Sequence, residues 1–211
     1  MLVGLALLPA CVGAGRTLLR MLEAGGDAST VWVAMLSGAA CWGVIYALLP
    51  RPMWLYVFGH ELTHVLWAWL FGGRVRRFRA TARGGQVTVS RSNCLIVLAP
   101  YFFPLYAVLV LAGFGLGHLL WDWGRYRVWC HLLLGAAYAF HVTLTWQALQ
   151  TEQTDITSQG WLFSAVVIFL GNVLVLLLGI PLVTGRVGVL TALGWWLSDT
   201  GQVLRRLAAL L

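Results

Sequence analysis

An all-α polytopic membrane helical bundle of about five to six transmembrane helices, with a short membrane-associated β-hairpin and a C-terminal interfacial helix, is the fold class this sequence predicts. Three observations carry that expectation. Hydrophobic residues make up 60% of the chain and charged residues 10%, with a mean hydropathy of +0.83, whereas soluble domains carry roughly a quarter charged residues. Apolar stretches recur at about 29–50, 53–72, 94–120, 127–148 and 161–184, each long enough to cross a hydrocarbon layer of roughly 30 Å. The basic charge is all arginine, and six of the arginines lie between Arg74 and Arg91, a clustering that sets membrane orientation. In 211 residues these features describe one membrane-embedded domain, 1–211, with a core at 53–184.

At the N-terminus, residues 1–22 form an apolar run interrupted by Arg16 and Arg20. No basic region precedes it and no small-residue cleavage site follows, so a cleaved signal peptide is not expected. A first span with snorkelling arginines and an interfacial amphipathic helix both fit. Pro50 and Pro52 separate the next two stretches, and Trp54, Trp121, Trp123, Trp129, Trp146 and Trp161 fall near span ends, where indole prefers the headgroup region. Pro100 and Pro104 should kink the stretch at 94–120.

Residues 74–90 have a different period. Phe78, Ala80 and Ala82 alternate with Arg79, Thr81 and Arg83, then Gly84 and Gly85 precede Val87 and Val89, the signature of a β-hairpin. Two strands alone in water are marginal, so the ribbon should lie on the membrane surface or on the bundle. The positive-inside rule puts the arginine-rich loop in the cytoplasm, 121–126 outside and 149–160 back in the cytoplasm. This basic loop is explained by orientation, and nucleic acid is not an expected partner. The last segment, 187–211, places Trp195, Trp196, Asp199, Arg205 and Arg206 among leucines and reads as an amphipathic helix in the interface. Cys11, Cys41, Cys94 and Cys130 lack paired C-x-x-C spacing and read as small core residues.

Within 53–72 the chain runs Gly59-His60-Glu61-Leu62-Thr63-His64, an H-E-x-x-H motif in a helical stretch. Residues four apart project from one helix face, so His60 and His64 can both offer an imidazole nitrogen to one zinc ion (Zn2+). Glu61 lies beside them, placed to take a proton from a metal-bound water. Placing an ionised acid in mid-membrane costs about 2.5 to 3.5 kcal/mol on insertion scales, which a role at a metal would justify.

A tetrahedral catalytic zinc needs a third protein ligand. Asp155, in Gln153-Thr154-Asp155-Ile156, sits where the chain re-enters from the side on which the motif helix exits, and a carboxylate would reduce the charge of the site. His141, which shares a helix face with Tyr138 and Thr145, is the deeper alternative. His118, His131 and Asn172 fit structural roles better, Asn172 as a helix-to-helix hydrogen bond.

The motif helix followed by a β-hairpin resembles the site-2 protease family of intramembrane zinc metalloproteases over roughly residues 53–184. The resemblance implies zinc held by His60, His64 and an aspartate, with Asp155 as the counterpart, and Glu61 as the base for hydrolysis of a peptide bond in or next to a transmembrane segment of a membrane-protein substrate. It also implies that residues 75–89 hold the unwound substrate along a strand edge. The expected setting is the cell membrane, as a multi-pass protein with its active site toward the cytoplasmic side. Two other classes stand beside this reading: a non-catalytic zinc-binding membrane protein, in which His141 would join the other ligands in a closed site, and a metal or proton transporter using the same polar groups as relays.

Overall fold

The computed structural model describes residues 2–26 and 29–210. The chain divides into two units, 30–153 and a second built from 1–29 with 154–211. Helix dominates both.

The first unit begins with α2 (Ser29–Leu48) and contains α3 (Met53–Leu70), β1 (Val75–Thr81), β2 (Gly84–Val89), α4 (Cys94–Phe102), α5 (Leu105–Trp121), a short 3-10 turn (Trp123–Tyr126) and α6 (Arg127–Leu149). Helices α2 and α6 meet along a ladder of residues four apart. A Cβ on Gly38 would run into the Leu132 carbonyl, and one on Gly135 into the Met35 carbonyl, so each glycine admits the backbone of the other helix. One turn beyond Gly38, Trp42 Nε1–H donates to Thr143 Oγ1 at 2.9 Å, and its ring lies 5.0 Å from that of Phe140. Close backbone approach through small residues is how helices associate when their surroundings are as apolar as their side chains.

α3 forms over nearly the span expected at 53–72. Its end is set by Gly72, whose φ of +70° lets the chain reverse and the Gly73 N–H reach the Ala68 carbonyl at 2.7 Å. With two histidines and a glutamate in 18 residues, α3 falls outside the helices whose length and composition suffice to cross a membrane. Those are Leu2–Ala24, Ser29–Leu48, Trp123–Leu149 and Trp161–Thr184, with Cys94–Phe102 and Leu105–Trp121 as one bent pair. Among the described residues four to five helices therefore qualify, and residues 2–22 belong to one of them.

The stretch at 94–120 is broken, not merely kinked, with 77° between α4 and α5. Pro104 has no N–H for the Pro100 carbonyl, and its ring excludes a continuous helix. Asn93 caps the start of α4, its Oδ1 accepting the Ile96 N–H at 2.8 Å. In the hairpin the tight turn is Ala82–Arg83, closed by Thr81 opposite Gly84, and Gly84 and Gly85 are strand residues. The Thr81 hydroxyl, donating to the Gly84 carbonyl at 2.7 Å, supports that turn. A bulge at Arg76, between the Val75 and Arg77 pairings, interrupts the register.

The second unit holds α1 (Leu2–Ala24), α7 (Thr154–Gln159), α8 (Trp161–Thr184) and α9 (Val189–Ala208). Ala14, Met21, Val173, Leu177 and Ala192 form its core. α1 and α9 are also joined by polar contacts: Thr17 Oγ1 donates to Asp199 Oδ2 at 2.8 Å, Trp196 Nε1–H donates to the Ala10 carbonyl at 3.0 Å, and the Arg20 guanidinium lies 3.9 Å from the centre of the Trp195 ring. α9 is strongly two-sided, with Ala192 buried while Leu204, Arg205 and Arg206 are exposed.

One expectation is corrected. Cys11 and Cys130 are buried, but Cys41 is exposed on α2 and Cys94 half-buried, all four as free thiols. Asn172 Nδ2 donates to the Ile168 carbonyl of its own helix at 2.9 Å.

Replacing Gly135 with Val should force α2 and α6 apart and destabilise the protein by about 1 to 3 kcal/mol, the usual range for an overpacked contact. Thermal unfolding in detergent should show a lower midpoint, while Gly113→Ala, where a Cβ meets nothing within 4 Å, leaves it nearly unchanged.

Candidate metal and catalytic site

His60 and His64 lie on consecutive turns of α3 with ring centroids 5.0 Å apart. The His64 Nδ1 is 2.8 Å from the Ile96 carbonyl oxygen. A carbonyl can only accept, so Nδ1 carries the proton in this contact. That carbonyl comes from the first turn of α4, the turn capped by Asn93. The ring of His60 stands edge-on to Tyr101 of α4 at 5.2 Å and near Tyr56, one turn earlier on α3, at 5.9 Å.

Glu61 is 7% exposed, and the hairpin is what covers it. An added Cβ at Gly85 would lie 2.5 Å from Glu61 Oε1 and 2.7 Å from its Cδ, so the strand reaches the carboxylate only because position 85 has no side chain. Nearby, Phe78 of β1 packs edge-on against Phe58 of α3 at 5.8 Å. Thr63, also buried, donates to the Gly59 carbonyl at 2.8 Å, a bond inside α3 that keeps its hydroxyl satisfied in an apolar setting.

His141 of α6 faces the same region. Its side chain is 7% exposed, and it lines a small cavity together with Gly59, His60 and Pro100. Asp155 opens the first turn of α7 in the second unit, two residues beyond Gln153. Gln153 itself is held in the first unit, where its Nε2 donates to the Ala148 carbonyl at 2.9 Å and its Oε1 accepts the Tyr101 hydroxyl at 3.4 Å.

The remaining histidines stand elsewhere. His118, in the last turn of α5, has Nδ1 3.4 Å from the exposed Asp122 carboxylate, and His131 sits near the start of α6. Neither lines the cavity beside His60. Three features carry little signal in the sequence: the Ile96 carbonyl that orients His64, the approach of Gly85 to Glu61, and the Tyr101–Gln153 contact. The paired glycines at 84 and 85 hint at the second, but a turn explains them equally well from sequence alone.

Compared with protein-family models, curated proteins and solved structures, the chain matches none of them.

Substituting Gly85 with Ala should push the hairpin off Glu61. Trypsin should then cut the exposed Arg76, Arg77, Arg79 and Arg83 several-fold faster than in wild type, and Gln86→Ala, at an exposed neighbouring position, should leave the rate unaltered.

Proposed function

We propose that the protein is an intramembrane zinc endopeptidase that hydrolyses peptide bonds in or next to transmembrane segments of membrane-protein substrates. The observation that carries this reading is the setting of His64: its Nδ1–H is given to the Ile96 carbonyl, which leaves Nε2 as the nitrogen to face a metal, one helical turn from a second imidazole and beside a buried glutamate. Metal-bound histidines nearly always donate their other nitrogen in this way.

We assign His60, His64 and Asp155 as the zinc ligands, one atom from each side chain. Two imidazoles and one carboxylate are the donors of a catalytic zinc that keeps one position open. Gln153, bonded to the Tyr101 whose ring packs on His60, supports Asp155 as the third ligand, because two further residues of extended chain span only about 7 Å. A zinc ion held by these residues would supply an acidified water and polarise a carbonyl. Glu61 takes the proton of the attacking water and returns it to the leaving amine as the C–N bond breaks. The cover provided by Gly85 excludes bulk water from that carboxylate, and the outer edges of β1 and β2, which pair only with each other among the described residues, can add an extended substrate strand.

The setting we propose is the cell membrane, with the site toward the cytoplasmic side. His64 is six residues, about 9 Å of helix rise, from the C-terminal end of α3, and that end leads directly into the arginine-rich hairpin.

Replacing Glu61 with Gln should lower cleavage by about 10²- to 10⁴-fold, the range for loss of a general base, while zinc content measured by atomic emission stays at the wild-type level. His60→Ala, His64→Ala and Asp155→Ala should each lose both zinc and cleavage. A Glu61→Gln protein that still cut its substrate would rule out this mechanism.

A further inference from the structure

The cavity beside His60 has a volume of about 20 Å³, enough for roughly one water-sized group. His60, His141 and Pro100 contribute to its wall. His141 Nε2 is fully buried and has no hydrogen-bond partner. Thr145 Oγ1, one turn further along α6, is in the same condition. A buried polar atom left unmatched is destabilising, and an apolar side chain would fill the position without that penalty. Pro100, whose carbonyl receives no N–H from Pro104 in the helix ladder, also lines the cavity. A pocket the size of one oxygen-bearing group, walled by a histidine whose Nε2 has no partner and by a proposed zinc ligand, is built for a small polar guest.

We propose that this cavity receives the carbonyl oxygen of the scissile peptide and that His141 Nε2–H donates a hydrogen bond to it, which makes His141 a further catalytic residue; this rests on the endopeptidase reading above. As the water oxygen bonds to the carbonyl carbon, the π electron pair moves onto the carbonyl oxygen and Glu61 accepts the water proton. The His141 donor meets the charge that appears on that oxygen, and preorganised donors aimed at developing charge contribute strongly to rate. When the oxygen pair returns, the C–N bond breaks and the proton passes from Glu61 to the amine. With His60, His64 and Asp155 assigned as the three protein ligands of an open site, His141 is left for the substrate.

The test uses the full chain in liposomes with a pooled library of single-span peptides, cleavage being read by mass spectrometry and the best-cut peptide carried forward. His141→Phe should lower kcat by about 10²- to 10³-fold with KM within about twofold, and His141→Gln, which keeps an N–H donor, should recover part of the loss. Zinc content should match wild type in both variants. A phosphinic analogue of the peptide, which presents a tetrahedral oxyanion, should bind His141→Phe about 100-fold more weakly, in parallel with kcat. The uncut peptide should bind Glu61→Gln equally well with and without His141→Phe. Loss of zinc from a folded His141→Phe would make His141 a ligand and overturn the proposal, as would unchanged affinity for the phosphinic peptide. A zinc-loaded wild type that cuts no library peptide would instead bring down the endopeptidase reading on which the proposal stands.

Discussion

Two imidazoles and a carboxylate within five consecutive positions of an apolar helix impose the constraint around which the first unit is arranged. Each needs a polar neighbour or a ligand, because burying such groups alone is costly. The neighbours come from both sides of α3 in sequence. Ahead of the motif, Tyr56 stands one turn from His60; after it, the hairpin turns back over Glu61 and α4 brings the Ile96 carbonyl to His64. The cap on α4 by Asn93 therefore matters beyond that helix: it fixes the first turn from which the His64 acceptor is presented.

The break between α4 and α5 serves the same arrangement. A straight helix through 94–120 would carry no irregular backbone, and Pro100 and Phe103 would not open onto the cavity shared with His60 and His141. Proline at 104 creates the bend by subtracting a donor and adding bulk. Tyr106, just past the bend, gives its hydroxyl to the Leu55 carbonyl at 2.6 Å and so ties α5 back to α3 near the start of the motif helix.

Much of this was legible in the residues. Helix positions followed from runs of apolar residues, and the boundaries at 29–50, 127–148 and 161–184 lie close to those of α2, α6 and α8 because Pro50, Arg127, Gly160 and Gly185 punctuate the chain. The alternation at 78–89 marked two strands, and the pairing across the ribbon places the turn at Ala82–Arg83. The H-E-x-x-H spacing marked His60, Glu61 and His64. What periodicity could not reveal were contacts between residues far apart in the chain, such as Ile96 with His64 or Gly85 with Glu61. A backbone carbonyl has no residue type to read, and the role of a glycine depends on what arrives opposite it. The polar stripe of Tyr138, His141 and Thr145 was visible, but the cavity that His141 lines together with residues of three other helices was not.

The contact between Gly85 and Glu61 also fixes where the ribbon can rest. Sliding β2 along α3 by one residue would bring either the glycine at 84, from the opposite face of the strand, or the bulky amide of Gln86 to the carboxylate. The first would turn Val87 and Val89 outward; the second has no room. The hairpin thus has a single seat on the motif helix, and a residue without a side chain is what enforces the register.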